Sequence, residues 1–244
     1  MKRKNKKEIQ KYYQINDVAS TYDDRRFVGK GGEYINSTEV KTTLNIMKKC
    51  LRVDSPKILD LGSGRGRLSI PLKKAGYNTY CLDSSVSMLS FLTKEFGREH
   101  IYIQSVFDKL PSNNKFDGVT SLRFFDHFDE ADQIKILINV SKSLKKDGKF
   151  FLSGLSSSSL EYLVSFLYPY GRYNYYLSPS AYSKIFAKAG LRLTTYDSAF
   201  FIPRGVFLHT NNYPKLQSIL VAIGSFMIRL LPSLGAMKIF ALEK

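Results

Sequence analysis

The chain has 244 residues, with 37 Lys and Arg against 21 Asp and Glu for a formal net charge of +16. Its 43% hydrophobic and 14% aromatic content can bury enough apolar surface to offset chain entropy, which excludes a disordered chain. Two cysteines, Cys50 and Cys81, are too few for a disulfide framework or a cysteine-built metal site, and no metal site is expected.

The first eleven residues carry six Lys and Arg and one Glu with no apolar segment behind them, so a basic arm over 1–18 is expected rather than a secretory signal. A reducing cytoplasmic setting is the expectation. The last 94 residues hold nine cations against three acids. Such a surplus draws phosphate backbones or anionic lipid head groups, or serves as solubility charge.

Short apolar runs then alternate with amphipathic stretches, the pattern of βα units around a parallel sheet. The pattern predicts strands over 57–61, 77–82, 101–107, 116–122 and 149–153, and helices over 67–75, 86–96 and 131–144. A helix over 38–51, capped by Ser37 or Thr38, precedes them. Farther on, a helix over 180–189, a strand over 191–201, an apolar helix over 216–231 and a last strand over 237–242 complete the reading. The expected architecture is α/β: a doubly wound, mostly parallel seven-stranded sheet with helices on both faces and a C-terminal helical cap inserted before the last strand. The expected division is a core over 19–154, followed over 155–244 by cap segments and the last two strands.

The sharpest feature is Asp60-Leu61-Gly62-Ser63-Gly64-Arg65-Gly66, directly between a predicted strand and a predicted helix. Glycines here let backbone approach a nucleotide, and the helix behind offers free N–H groups. Dinucleotide enzymes carry the third glycine three places after the second, whereas here it follows at two. Asp83 ends the second predicted strand, where a carboxylate can accept both hydroxyls of a ribose. Phe107-Asp108 ends the third predicted strand.

Over 19–153 this set resembles the class I S-adenosylmethionine (SAM)-dependent methyltransferases. The resemblance implies SAM as cofactor, held by Tyr22, Asp60, Gly62, Ser63, Gly64, Gly66, Asp83, Ser84, Phe107, Asp108 and Leu122. In it Asp60 faces the methionine amino group, Asp108 meets the adenine amino group, and Tyr22 belongs to a segment that folds over the cofactor. Phe116-Asp117-Gly118-Val119 and the turn at 144–149 are similar to later motifs of the same family.

His127, just past the fourth strand, is the candidate general base, with a pKa range suited to that work. It could equally be a surface or helix-capping residue. Asp126 could orient it or cap the next helix, His209 is a weaker candidate, and His100, ahead of a strand, reads as structural. Arg123 reads either as an anion-binding fork or as a solvated loop residue. Tyrosines 162, 168, 170, 173, 175, 176 and 182 either wall an acceptor pocket, stack bases, or pack a cap onto the sheet. Both cysteines read as inert thiols.

The expected function is methyl transfer to a small organic, lipophilic or aromatic acceptor, with the apolar helix over 216–231 closing the pocket, resting on a membrane surface or packing as a cap. An RNA methyltransferase gripping phosphates with its basic surface is the alternative, although no base-amine signature follows the fourth strand. A non-catalytic SAM-binding protein is a third. The oligomeric state is left open.

Overall fold

A computed structural model of the chain describes residues 27–111, 116–166 and 175–244. Seven strands form one continuous order: β1 (Lys57–Leu61), β2 (Asn78–Asp83), β3 (Ile101–Ile103), β4 (Phe116–Ser121), β5 (Leu144–Ser156), β7 (Arg192–Ser198) and β8 (Met237–Glu243). The order across the sheet is β3-β2-β1-β4-β5-β8-β7, and β8 runs antiparallel to both neighbours while the other pairs of this path are parallel. An eighth strand, β6 (Tyr176–Leu177), adds two residues beside the end of β5.

Period-two alternation sorts the side chains of each strand onto two faces. Phe150, Leu152, Phe240 and Leu242 point into one core with α4 (Glu130–Ser143) and α6 (Pro179–Lys188). Phe151, Leu155, Ile239 and Ala241 point into the other, beneath α1 (Gly29–Cys50) and α2 (Ser69–Lys74). The central strands read as near-continuous apolar runs because both faces are covered. Capping follows local chemistry: Ser85 Oγ accepts the Met88 amide at the start of α3 (Val86–Phe96), Asp129 accepts that of Asp132 at α4, and Ser178 that of Ala181 at α6.

The sheet has eight strands rather than the expected seven, β7 ends at Ser198 rather than 201, and three further elements depart from the sequence reading. Helix α1 begins nine residues before the expected start. Ser37 and Thr38 are not caps: their hydroxyls donate to the Tyr34 carbonyl at 3.0 and 2.7 Å, inside the helix. Gly31 and Gly32 argue against helix by propensity, but the Phe207 ring and the Phe27 backbone occupy the space their side chains would need. Strand β3 stops at Ile103, since the chain turns away after Gln104 donates to the Asp83 carbonyl. Strand β5 starts at Leu144 rather than 149, because the turn residues pair with β4 through a register shift.

After β5 come the short helix α5 (Leu160–Ser165) and, between β7 and β8, α7 (Arg204–His209) and α8 (Pro214–Leu230). The helical insertion before the last strand is therefore present as expected.

Candidate active site

The C-terminal ends of β1, β2 and β4 meet at the glycine loop, where the strand order reverses. Gly62, Gly64 and Gly66 all have positive φ (70°, 53° and 88°), a region that other residues enter at a cost. The Gly62 and Ser63 amides donate to the Leu82 carbonyl at 2.8 and 3.1 Å, tying the loop to β2. Space then separates the first two glycines. A side chain on Gly62 would stand 2.5 Å from the Phe124 ring, whereas among the described residues nothing lies within 4 Å of the corresponding point on Gly64. Among those residues the crest of the loop is open.

Asp83 closes the loop from below. Its Oδ2 accepts the Gly64 amide at 3.0 Å and its Oδ1 the Ser85 amide at 2.9 Å. Burial pushes its carboxyl upward, and the amides of Ser85, Gly64 and Ser84 partly offset that. Asp60 lies deeper: its oxygens accept the Ser69 and Thr120 hydroxyls at 2.5 and 2.9 Å. Burial pushes it up to about 6, against the pull of those two hydroxyls and the Arg67 charge. Each oxygen has lone pairs left for a cation.

Among the described residues, two buried polar atoms near the loop have no hydrogen-bond partner, Ser63 Oγ and Arg67 Nη2. Orphaned groups of this kind mark a place where a ligand or water completes the bonding. An open crest, an acid already aligned with the loop amides and an orphaned hydroxyl fit a nucleoside-bearing cofactor.

The other expected positions are more spread. Phe107 is half-buried, with its ring 5.6 Å from Phe128, which in turn lies 4.9 Å from Phe124. These aromatic rings connect Phe107 to the Gly62 side of the loop. Asp108 lies five residues beyond the end of β3, exposed, with its carbonyl held by Asn139. Ser84 and Leu122 are half-buried at the ends of β2 and β4. Tyr22 falls outside the described residues.

His127 is half-buried and ends a single 3₁₀ turn, Phe125–His127. The capping role offered for its neighbour Asp126 is corrected. Asp129 caps α4, and Asp126 is buried, accepting the Leu155 amide at 3.2 Å. Burial pushes Asp126 up to about 6. Both readings of Arg123 are likewise corrected: it is neither solvated nor an open fork. Its guanidinium pairs with both oxygens of Glu39, a residue that no sequence signal distinguished from the rest of α1. Arg67 donates to the same Glu39 at 2.8 Å.

Tyr182 packs in the core against Phe186 and Phe240, and its hydroxyl meets the Leu155 carbonyl. Tyr162 stacks near Tyr176, half-buried, and tyrosines 168, 170 and 173 fall outside the described residues. His209 is exposed, and the His100 ring lies 4.5 Å from Tyr80. Burial raises the Cys81 thiol to about 12, which makes it inert at neutral pH.

The strand order and the glycine loop at its reversal define a class I, Rossmann-like methyltransferase fold. A family profile described as a methyltransferase domain matches residues 34–196, and the chain belongs to that family. A structure of the magnesium protoporphyrin IX methyltransferase of Synechocystis, 14% identical to this chain, holds bound SAM. Among curated proteins, a ubiquinone biosynthesis O-methyltransferase of Pelagibacter ubique is 27% identical over 218 residues, covering 81% of this chain and 88% of its own. One of the same name from Rickettsia canadensis is 25% identical over 56% of this chain and 63% of its own, and that from Rickettsia conorii is 27% identical over 46% and 39%. The chain thus matches less than two thirds of the length of each of these two Rickettsia relatives.

Among solved structures, the magnesium protoporphyrin IX methyltransferase of Synechocystis superposes with a TM-score of 0.66 at 16% identity, over 98% of this chain and 99% of its own. A possible histamine N-methyltransferase of Thermotoga maritima superposes with a TM-score of 0.61 at 15% identity, over 96% and 99%. At such identity the likeness concerns the fold.

Proposed function

We propose that this chain transfers the methyl group of SAM to a hydroxyl of a small organic acceptor of lipophilic or aromatic character. The observation that carries the reading is the Asp83 carboxylate locked to the Gly64 amide beside an open loop crest. The repeated name of the O-methyltransferase relatives favours oxygen as the accepting atom.

In this reading Gly62, Ser63, Gly64 and Gly66 receive the cofactor, Asp83 and Ser84 take the ribose, and Phe107 and Asp108 take the adenine. Asp60 offers its carboxylate to the methionine ammonium, and Leu122 lines the methionine side. Bound SAM supplies an electrophilic methyl whose carbon–sulfur bond breaks, with the electron pair left on sulfur. The chain's own work is to hold the acceptor oxygen in line, which can supply about 7–11 kcal/mol of the barrier. His127 takes the hydroxyl proton, and the product is S-adenosylhomocysteine.

Calorimetry with SAM on the wild type, Asp83→Ala and Gly64→Val tests the cofactor site, and unchanged affinity in both variants would refute it. Formation of S-adenosylhomocysteine with hydroxylated aromatic acceptors tests the reaction. The RNA alternative, which rests on the net charge of +16, predicts binding that collapses with added salt.

A further inference from the structure

Helix α8 is apolar on two opposite faces. The inner face lies on the protein body: Gln217 and Gly224 are buried, the Gln217 side chain bridges the Gly31 amide and the Phe207 carbonyl, and Val221 and Ile228 join the core. The outer face carries Leu216, Ile219, Ile223, Phe226 and Leu230, each between 42% and 62% exposed. Steps of three and four residues place these five on one stripe, roughly opposite the inner face. Tyr213 and Leu231, the residues flanking the helix, are also exposed. A contiguous apolar patch of this kind on a folded domain marks a surface that something covers.

Charge indicates what covers it. No acid occurs from residue 198 through 242. Lys215 and Arg229 sit on one flank of the stripe, at its two ends, and Lys30 of α1 reaches the same flank, donating to Ser218 at 2.9 Å. An antiparallel pairing of this helix with a second copy of itself would set Lys215 against Arg229 with no acid to neutralise either. An anionic lipid surface accepts all three cations at once. The 17-residue helix is about 26 Å long, short of the roughly 30 Å of a bilayer's hydrocarbon, and one side is already committed to the protein. It can lie in a membrane interface but cannot cross one.

We propose that α8 seats this protein on anionic phospholipid membranes, with the five-residue stripe in the head-group boundary and Lys215, Arg229 and Lys30 on lipid phosphates. The inference does not rest on the methyl-transfer reading. It concerns a different surface and has a readout independent of turnover.

The test is co-sedimentation of the full chain with vesicles of mixed phosphatidylglycerol and phosphatidylcholine, and with vesicles of phosphatidylcholine alone. The wild type is expected to bind the anionic vesicles at least tenfold more tightly, with binding weakened by salt. A double variant Ile223→Glu, Phe226→Glu should lose vesicle binding, and Lys215→Ala with Arg229→Ala should weaken it about tenfold. All four positions are exposed, so an unchanged melting temperature and circular dichroism spectrum will show that the fold is kept. Absence of vesicle binding, equal binding to both vesicle types, or wild-type binding by the glutamate variant each overturns the proposal. So does a wild-type dimer that Phe226→Glu splits, since the stripe would then be a contact between copies.

Discussion

Glu39 and Arg123, 84 residues apart in sequence, form a two-oxygen ion pair in the protein interior just behind the glycine loop. Arg123 has a positive φ of 53°, uncommon outside glycine, and its amide donates to Ser153 Oγ at 2.6 Å. The pair therefore holds the segment between Leu122 and His127 in a conformation that the local sequence would not choose. Burial pushes Glu39 up, but the Arg123 and Arg67 charges outweigh it and hold the carboxyl below the usual range.

Replacing Glu39 with Gln leaves the Arg123 charge buried without its counterion, and such losses cost about 3–5 kcal/mol. Urea unfolding of Glu39→Gln should show that loss. A cost under about 1 kcal/mol would mean that Arg123 finds another partner.

The two loop glycines should separate stability from binding. Gly62→Ala must displace the Phe124 ring as well as strain the backbone, so a destabilisation above about 2 kcal/mol is expected. Gly64→Ala meets only the backbone penalty of about 1–2 kcal/mol, because its side-chain space is open. SAM affinity should nevertheless fall in Gly64→Ala. Equal unfolding midpoints for the two variants would contradict this division.

Asp60 and Asp126, both raised to about 6, bind protons more tightly folded than unfolded between about pH 4 and 6. Through these groups, stability without ligand should fall as pH rises across that window. Pairing of the methionine ammonium with ionised Asp60 makes SAM affinity rise across the same window. Thermal shifts with and without SAM from pH 4.5 to 7 should thus diverge, and Asp60→Asn should remove the ligand-dependent part. A SAM affinity that is flat with pH in the wild type argues against Asp60 as the ammonium partner.

His127→Ala should lower kcat by about 10²-fold or more while leaving the calorimetric SAM affinity in place. Full turnover in that variant would return His127 to a surface role and leave the acceptor proton to solvent.

Sequence alone went far along the sheet. Strand β1 and helix α3 match their expected bounds because apolar runs and flanking glycines are local signals read within a few residues. The glycine loop and Asp83 were legible for the same reason, since the turn and the strand end each declare themselves in sequence. The start of α1, the role of Glu39, the burial of Arg123 and Asp126 and the outward stripe of α8 were not. Helical periodicity marks apolar positions without saying which face finds a partner. A glutamate in a helix looks solvated until an arginine from a distant loop is folded against it. Tertiary structure decided these because burial and ion pairing depend on contacts between segments far apart in the chain, where desolvation and Coulomb attraction overrule local propensity.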